Sequence, residues 1–128
     1  QRQMCIRDSI PVDFVVPDTG DLAADVETWL RSVLSILEAP EGGALLRSLV
    51  AAATEDAGVG AHLGDSLGVE KYLTERLRGG IRDGQLAEEA PVEQLGRAIL
   101  GAIIVESLGR EHHDPDSIVR LTRFFFSR

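Results

Sequence analysis

The side chains of this chain that could do chemistry are few and do not converge. His112-His113-Asp114 is the densest group of metal-capable residues. Adjacent positions on a loop cannot aim at one ion as ligands at helical i, i+4 spacing do, and no cysteine assists, so solvated histidines are expected there. His62, near a helix start among small residues, is read as neither a ligand nor a pH sensor. Ser9, Ser32, Ser35 and Ser48 have no His and Asp at a spacing that would build a nucleophilic triad. Cys5 is the only cysteine, which excludes an intrachain disulfide and a thiolate metal cage. The expectation is no enzyme activity, no catalytic residue, no metal and no cofactor. Glu106 is more informative, because it follows Ile103 by three positions and Ile99 by seven and so shares their apolar stripe. It either anchors a cationic ligand or pairs at i, i+4 with Arg110. Trp29 and Tyr72, large aromatics at helical spacing, either fill a core or line a pocket.

Composition sets the frame for these residues. A chain of 128 residues, 44% of them hydrophobic, suffices for one domain with a buried core, and its few aromatics suit helices packed with Leu, Ile, Val and Ala. A formal net charge of -8 argues against nucleic acid or anionic lipid as a direct partner, since both select cationic surfaces. No apolar stretch reaches the roughly 18 residues that span a bilayer, and no charged-then-apolar signal segment opens the chain. A cytoplasmic location without membrane contact is expected. Residues 1–9, Gln-Arg-Gln-Met-Cys-Ile-Arg-Asp-Ser, follow neither helical nor strand periodicity and read as a non-native scar. Residues 10–18, with Pro11 and Pro17, read as an extended connector, and residues 19–128 as the folded domain.

The elements that must position the candidates are helical throughout. Thr19 or Asp21 can cap a first helix whose Leu22, Val26, Trp29, Leu30, Val33, Leu34 and Leu37 recur at the helical period. Pro40 stops it or starts a second helix carrying Leu45, Leu46, Leu49, Val50 and Ala53, which Gly58 and Gly60 break. Leu63, Leu67, Leu73, Leu77 and Ile81 mark a third, with a kink at Gly68 and Gly84 as a left-handed terminator. A fourth starts at Pro91 and carries two stripes, Leu95, Ile99 and Ile103 on one side and Leu100, Ile104 and Leu108 on another. One stripe suffices to join a core, so the second needs a further partner. Gly96, Ala98, Gly101 and Ala102 would let a neighbouring helix approach closely. Asp114 caps a last helix with Pro115 at its first position; Ile118, Leu121 and Phe125 form its core face, and Phe124, Phe125 and Phe126 sweep about 200° around its axis. The fold expected is all-α, a single domain of about five helices whose last two, adjacent and antiparallel, form a four-helix bundle with a second copy. That dimer surface comprises Leu100, Ile104, Leu108, Leu121, Phe124, Phe125 and Phe126. The inward stripes, with Ala53, Gly64 and Ala102 leaving volume unfilled, suggest a cavity lined by Trp29, Val33, Leu49, Leu67, Tyr72, Leu77, Ile99 and Ile103, with Glu106 as polar anchor.

Four landmarks occur in order: Val16-Pro17-Asp18-Thr19-Gly20-Asp21-Leu22, the Arg82-Asp83-Gly84-Gln85-Leu86 turn after a long helix, the Pro91 start of a glycine-bearing helix, and the short terminal helix. Together they resemble the C-terminal regulatory domain of TetR-family transcriptional regulators, over nearly all of residues 10–128. The resemblance implies that the first four helices enclose a small-molecule pocket and that the last two make a homodimer; the apolar lining proposed above suits an apolar or aromatic effector. It also implies that operator DNA is bound only by an N-terminal helix-turn-helix half, absent from this chain. An acidic helical dimerisation or interaction module without a small ligand is the alternative. A small helical enzyme would need a constellation that the sequence does not contain.

Overall fold

Helix α1 (Leu22–Glu38) starts where the Asp21 carboxylate accepts a hydrogen bond from the Ala24 N–H at 3.2 Å. Of the two capping candidates Asp21 is the cap, and Thr19 turns its hydroxyl elsewhere. Leu22, Val26, Trp29, Leu30, Val33 and Leu34 are buried at spacings of three and four, so α1 has one wide apolar face. Extended Ala39 then breaks the chain, and Pro40 opens α2 (Pro40–Glu55) at a position where its missing N–H costs nothing. Only Gly43 and Leu46 of α2 are buried; Leu49, Val50 and Ala53 are half-buried and Leu45 is exposed. The computed structural model describes residues 15–58, 69–109 and 114–126. The expected start of the third helix, with Leu63, Leu67 and the kink at Gly68, lies outside them, as do Gly64, His62, Arg110, His112 and His113.

Helix α3 (Val69–Arg82) ends in a left-handed turn at Gly84, whose φ is +75°. The Gly84 N–H donates to Ile81 O at 3.1 Å and the Gln85 N–H to Gly80 O at 2.8 Å, a pair of bonds that satisfies carbonyls the helix end would leave open. Helix α4 (Val92–Leu108) runs back along α3, as the Arg78–Glu93 and Arg97–Glu70 ion pairs at 3.2 and 3.0 Å require. Helix α5 (Pro115–Phe126) comes next, and Asp114 accepts the Asp116 N–H at 3.1 Å at its start. It lies antiparallel to α1, since Asp116 meets Arg31 and Arg123 meets Glu27, at 3.2 and 2.8 Å. No strand occurs among the described residues. The fold is all-α, with one buried cluster drawn from α1, α3, α4, α5 and Val16 of the connector.

The register of α5 differs from the expected one. Its core face is Ile118, Val119 and Thr122, with Phe126 packed against the cluster, whereas Leu121 is 39% exposed and Phe125 half-buried. Thr122 can take a core position because its hydroxyl donates to Val119 O at 2.9 Å, leaving no orphaned polar group.

Candidate functional site

The residues expected to line a pocket fall into three groups. Trp29, Val33, Leu77, Ile99 and Ile103 come together in the buried cluster, with Leu30 and Leu73 among them. Leu49 is half-buried on α2, and Tyr72 stands 38% exposed, turned away from the core. Leu67 lies outside the described residues. Glu106 accepts a hydrogen bond from the Asp114 N–H, so its carboxylate joins the end of α4 to the start of α5. Next to it, the Ser107 hydroxyl is buried and has no hydrogen-bond partner among the described residues. A cleft of about 150 Å³ lies elsewhere, at the start of α1, lined by Asp21, Leu22, Ala23, Gln85 and Phe126.

The outward faces of α4 and α5 carry the second feature. Val105 is 71% and Phe124 76% exposed, and Leu108 and Leu121 are also exposed. The rings of Phe124 and Phe125 meet tilted at 58°, their centroids 6.5 Å apart. Leu100 packs partly against the core and Ile104 is half-buried, so the outermost stripe of α4 is Ala98, Gly101, Val105 and Leu108, rotated from the expected one. The small residues divide accordingly. A Cβ on Gly96 would stand 3.3 Å from Thr74 Oγ1, so Gly96 admits α3, whereas a Cβ on Gly101 would meet nothing within 4 Å.

The third feature is polar, and sequence reasoning missed it. Asp25 in the first turn of α1 is buried, and so is Arg76 of α3; their side chains pair at 2.8 Å. Arg76 Nε also donates to Pro17 O at 3.0 Å, and Nη2 lies 3.5 Å from Asp18 Oδ1. Asp25 accepts both the N–H and the hydroxyl of Thr19, at 2.8 and 2.6 Å. Burial lifts the Asp25 carboxyl, but the Thr19 and Arg76 hydrogen bonds outweigh it and hold the group below the ordinary carboxylate range. Beside this pair, the Leu22 N–H donates to Gln85 Oε1 at 2.7 Å, so two of the sequence landmarks, the connector and the turn after α3, meet in space. The signal was present: Asp25 adjoins Val26 on the buried face of α1, and Arg76 lies three residues past Leu73 on that of α3. Opposite charges on two core stripes must find each other.

Comparison with known proteins agrees with this architecture. Among the described residues no three His, Cys, Asp or Glu side chains group as metal ligands, and no helix is long and apolar enough to cross a membrane. No curated protein and no solved structure gives a significant match. The family model described as "Tetracyclin repressor-like, C-terminal domain" matches residues 16–124, from the first buried residue of the connector to the exposed phenylalanine of α5. The chain therefore belongs to the tetracyclin repressor-like C-terminal domain family, a class of regulatory domains that bind ligands and dimerise.

Proposed function

We propose that this domain binds a small apolar or aromatic effector and joins two copies of a TetR-like regulator, operator binding being the task of an N-terminal half of the parent protein. The observation that carries the dimer reading is the exposed apolar surface of α4 and α5, with Val105 and Phe124 both more than two-thirds exposed. An apolar patch of this kind seeks a partner, and an isologous contact in which α4 and α5 meet their own copies closes after two chains. Leu100, Ile104, Leu108, Leu121, Phe125 and Phe126 flank it. Light scattering on the purified chain tests the point: a dimer that Val105→Glu converts to a folded monomer supports the reading, and a chain monomeric at high concentration ends it.

The effector reading is supported by the Ser107 hydroxyl. That hydroxyl is buried with no partner among the described residues; a group so placed costs about 1–3 kcal/mol if left unpaired, and mostly apolar pockets orient their ligands with a few such groups. In this reading Trp29, Val33, Leu77, Ile99 and Ile103 form the floor, Leu49 and Leu67 a wall, and Tyr72 and Glu106 the periphery. The effector acts by shifting the connector and with it the DNA-binding heads. A ligand present at a hundred times its Kd stabilises by about 2.7 kcal/mol, a shift that a thermal screen of hydrophobic compounds detects. The tight burial of Trp29, Leu77, Ile99 and Ile103 against one another favours the second reading, dimerisation without a ligand. A screen that moves nothing while the chain remains dimeric decides for it.

A further inference from the structure

We propose that Arg76 is a positioning residue that locks connector residues 17–19 onto α3, so that the direction in which the chain enters the domain follows α3 and not α1 alone. Three consecutive connector residues end on one guanidinium–carboxylate pair. Pro17 presents its carbonyl to Arg76 Nε at 3.0 Å, Asp18 its carboxylate to Nη2 at 3.5 Å, and Thr19 donates its N–H and hydroxyl to Asp25 at 2.8 and 2.6 Å. Asp25 belongs to α1 and Arg76 to α3, and they close on each other at 2.8 Å.

Holding Thr19 needs only α1. Holding Pro17 and Asp18 needs α3, because both are gripped by Arg76, whose planar fork places Nε and Nη2 in a fixed relation that a point charge cannot reproduce. The Arg76 side chain is 5% exposed, so its bonds to Asp25 and Pro17 are shielded from water, whereas the Asp18 carboxylate is 74% exposed and is the weaker hold. The third nitrogen, Nη1, is buried without a partner among the described residues. The hold on the connector therefore rests on Nε and Nη2. A buried ion pair is a weak device for stability alone, since apolar side chains of like volume serve as well. Its bonds to the connector backbone give it another task, that of fixing one exit path. The regulatory meaning rests on the effector reading above: a ligand that changes the spacing of α3 from α1 pulls Pro17 and Asp18 with it.

The test is made on the full chain without ligand, so that its failure stands apart from a failed effector screen. In Arg76→Lys the ammonium keeps the charge beside Asp25, but a single nitrogen replaces the fork whose Nε reaches Pro17 O. The domain should melt within a few degrees of the unmodified chain. The NMR order parameter of the Asp18 amide should fall from the rigid range near about 0.85 to below about 0.6, while that of Thr19, still bonded to Asp25, and those of α1 and α3 hold. Should Arg76→Lys not fold, Arg76→Gln leaves Asp25 in place for Thr19 while withdrawing the fork from Pro17 and Asp18, and is read in the same way. An Asp18 amide that stays rigid in a folded variant of either kind overturns the proposal.

Discussion

Arg76→Met is the sharpest perturbation this structure offers, because it removes one partner of a buried pair and strands the other. The Asp25 side chain is 3% exposed, so its carboxylate would face a dry interior without its cation. Breaking such a pair costs about 3–5 kcal/mol. The two bonds from Thr19 remain and place the loss at the lower end, about 3 kcal/mol, against a total stability of about 5–15 kcal/mol for a domain of ordinary size. At roughly 3–6 °C per kcal/mol for a chain of this length, the melting midpoint should fall by about 10 °C or more. The pH dependence separates charge from packing. In the unmodified chain Asp25 titrates below its ordinary 3.8, so its contribution is present above that value and is lost as the pH falls through the lowered folded-state pKa. Removing Arg76 raises the folded-state value, so the variant takes up its proton at a higher pH than the parent and is relieved first. Urea unfolding should therefore show a gap that is widest near neutrality and narrows between about pH 5 and pH 3. A gap below about 1 kcal/mol at neutrality, or one of constant size into acid, would refute the argument.

Two glycines should respond in opposite ways. Gly101→Ala meets no atom within 4 Å and adds helix propensity, so the monomer should gain up to about 1 kcal/mol while the dimer weakens; unchanged dimer affinity in sedimentation would place the interface elsewhere. Gly80→Ala sets a Cβ 2.6 Å from Leu22 Cδ2, and Leu22 is fully buried, so overpacking of about 1–3 kcal/mol should outweigh the gain in propensity and lower stability in urea unfolding.

The local signals were legible. Asp21, Pro40, Gly84, Pro91 and Pro115 mark helix ends by backbone chemistry that needs no neighbours, and the α1 stripe from Leu22 to Leu34 has only one face to bury. Where a helix carries apolar residues on several faces, the pattern does not choose among them. On α4 the choice falls to Gly96, whose missing side chain lets Thr74 of α3 come close and turns Val105 outward in place of Ile104. On α5 Thr122 takes the core place read for Leu121, because a hydroxyl bonded to its own helix is no longer costly to bury. The Asp25–Arg76 pair joins residues 51 positions apart, beyond any local window. Tyr72 shares α3 with Leu73 and Leu77, yet it is the neighbouring position that faces the core.

Four of the five helices among the described residues fall into two pairs, with α2 packed on α1. α1 carries α5 through the Arg31–Asp116 and Glu27–Arg123 bridges, and α3 carries α4 through Arg78–Glu93 and Arg97–Glu70. These rim pairs are solvent-accessible and contribute at most about 1 kcal/mol each, so apolar packing holds each pair together. Across the seam between the pairs runs the buried bond of Asp25 to Arg76, and the connector is tied to both of its ends. The exposed apolar surface draws one helix from each pair, α4 with Val105 and α5 with Phe124. A small slide of α3 and α4 against α1 and α5 would thus move Pro17 through Arg76 and reshape the surface offered to a second copy in the same step. If two copies join through this surface, dimer affinity and connector order are expected to be coupled. The Arg76→Lys chain, loosened at the connector, should accordingly respond to dilution differently from the unmodified chain, and identical concentration dependence in a variant with a mobile connector would show that the two ends of the domain act independently.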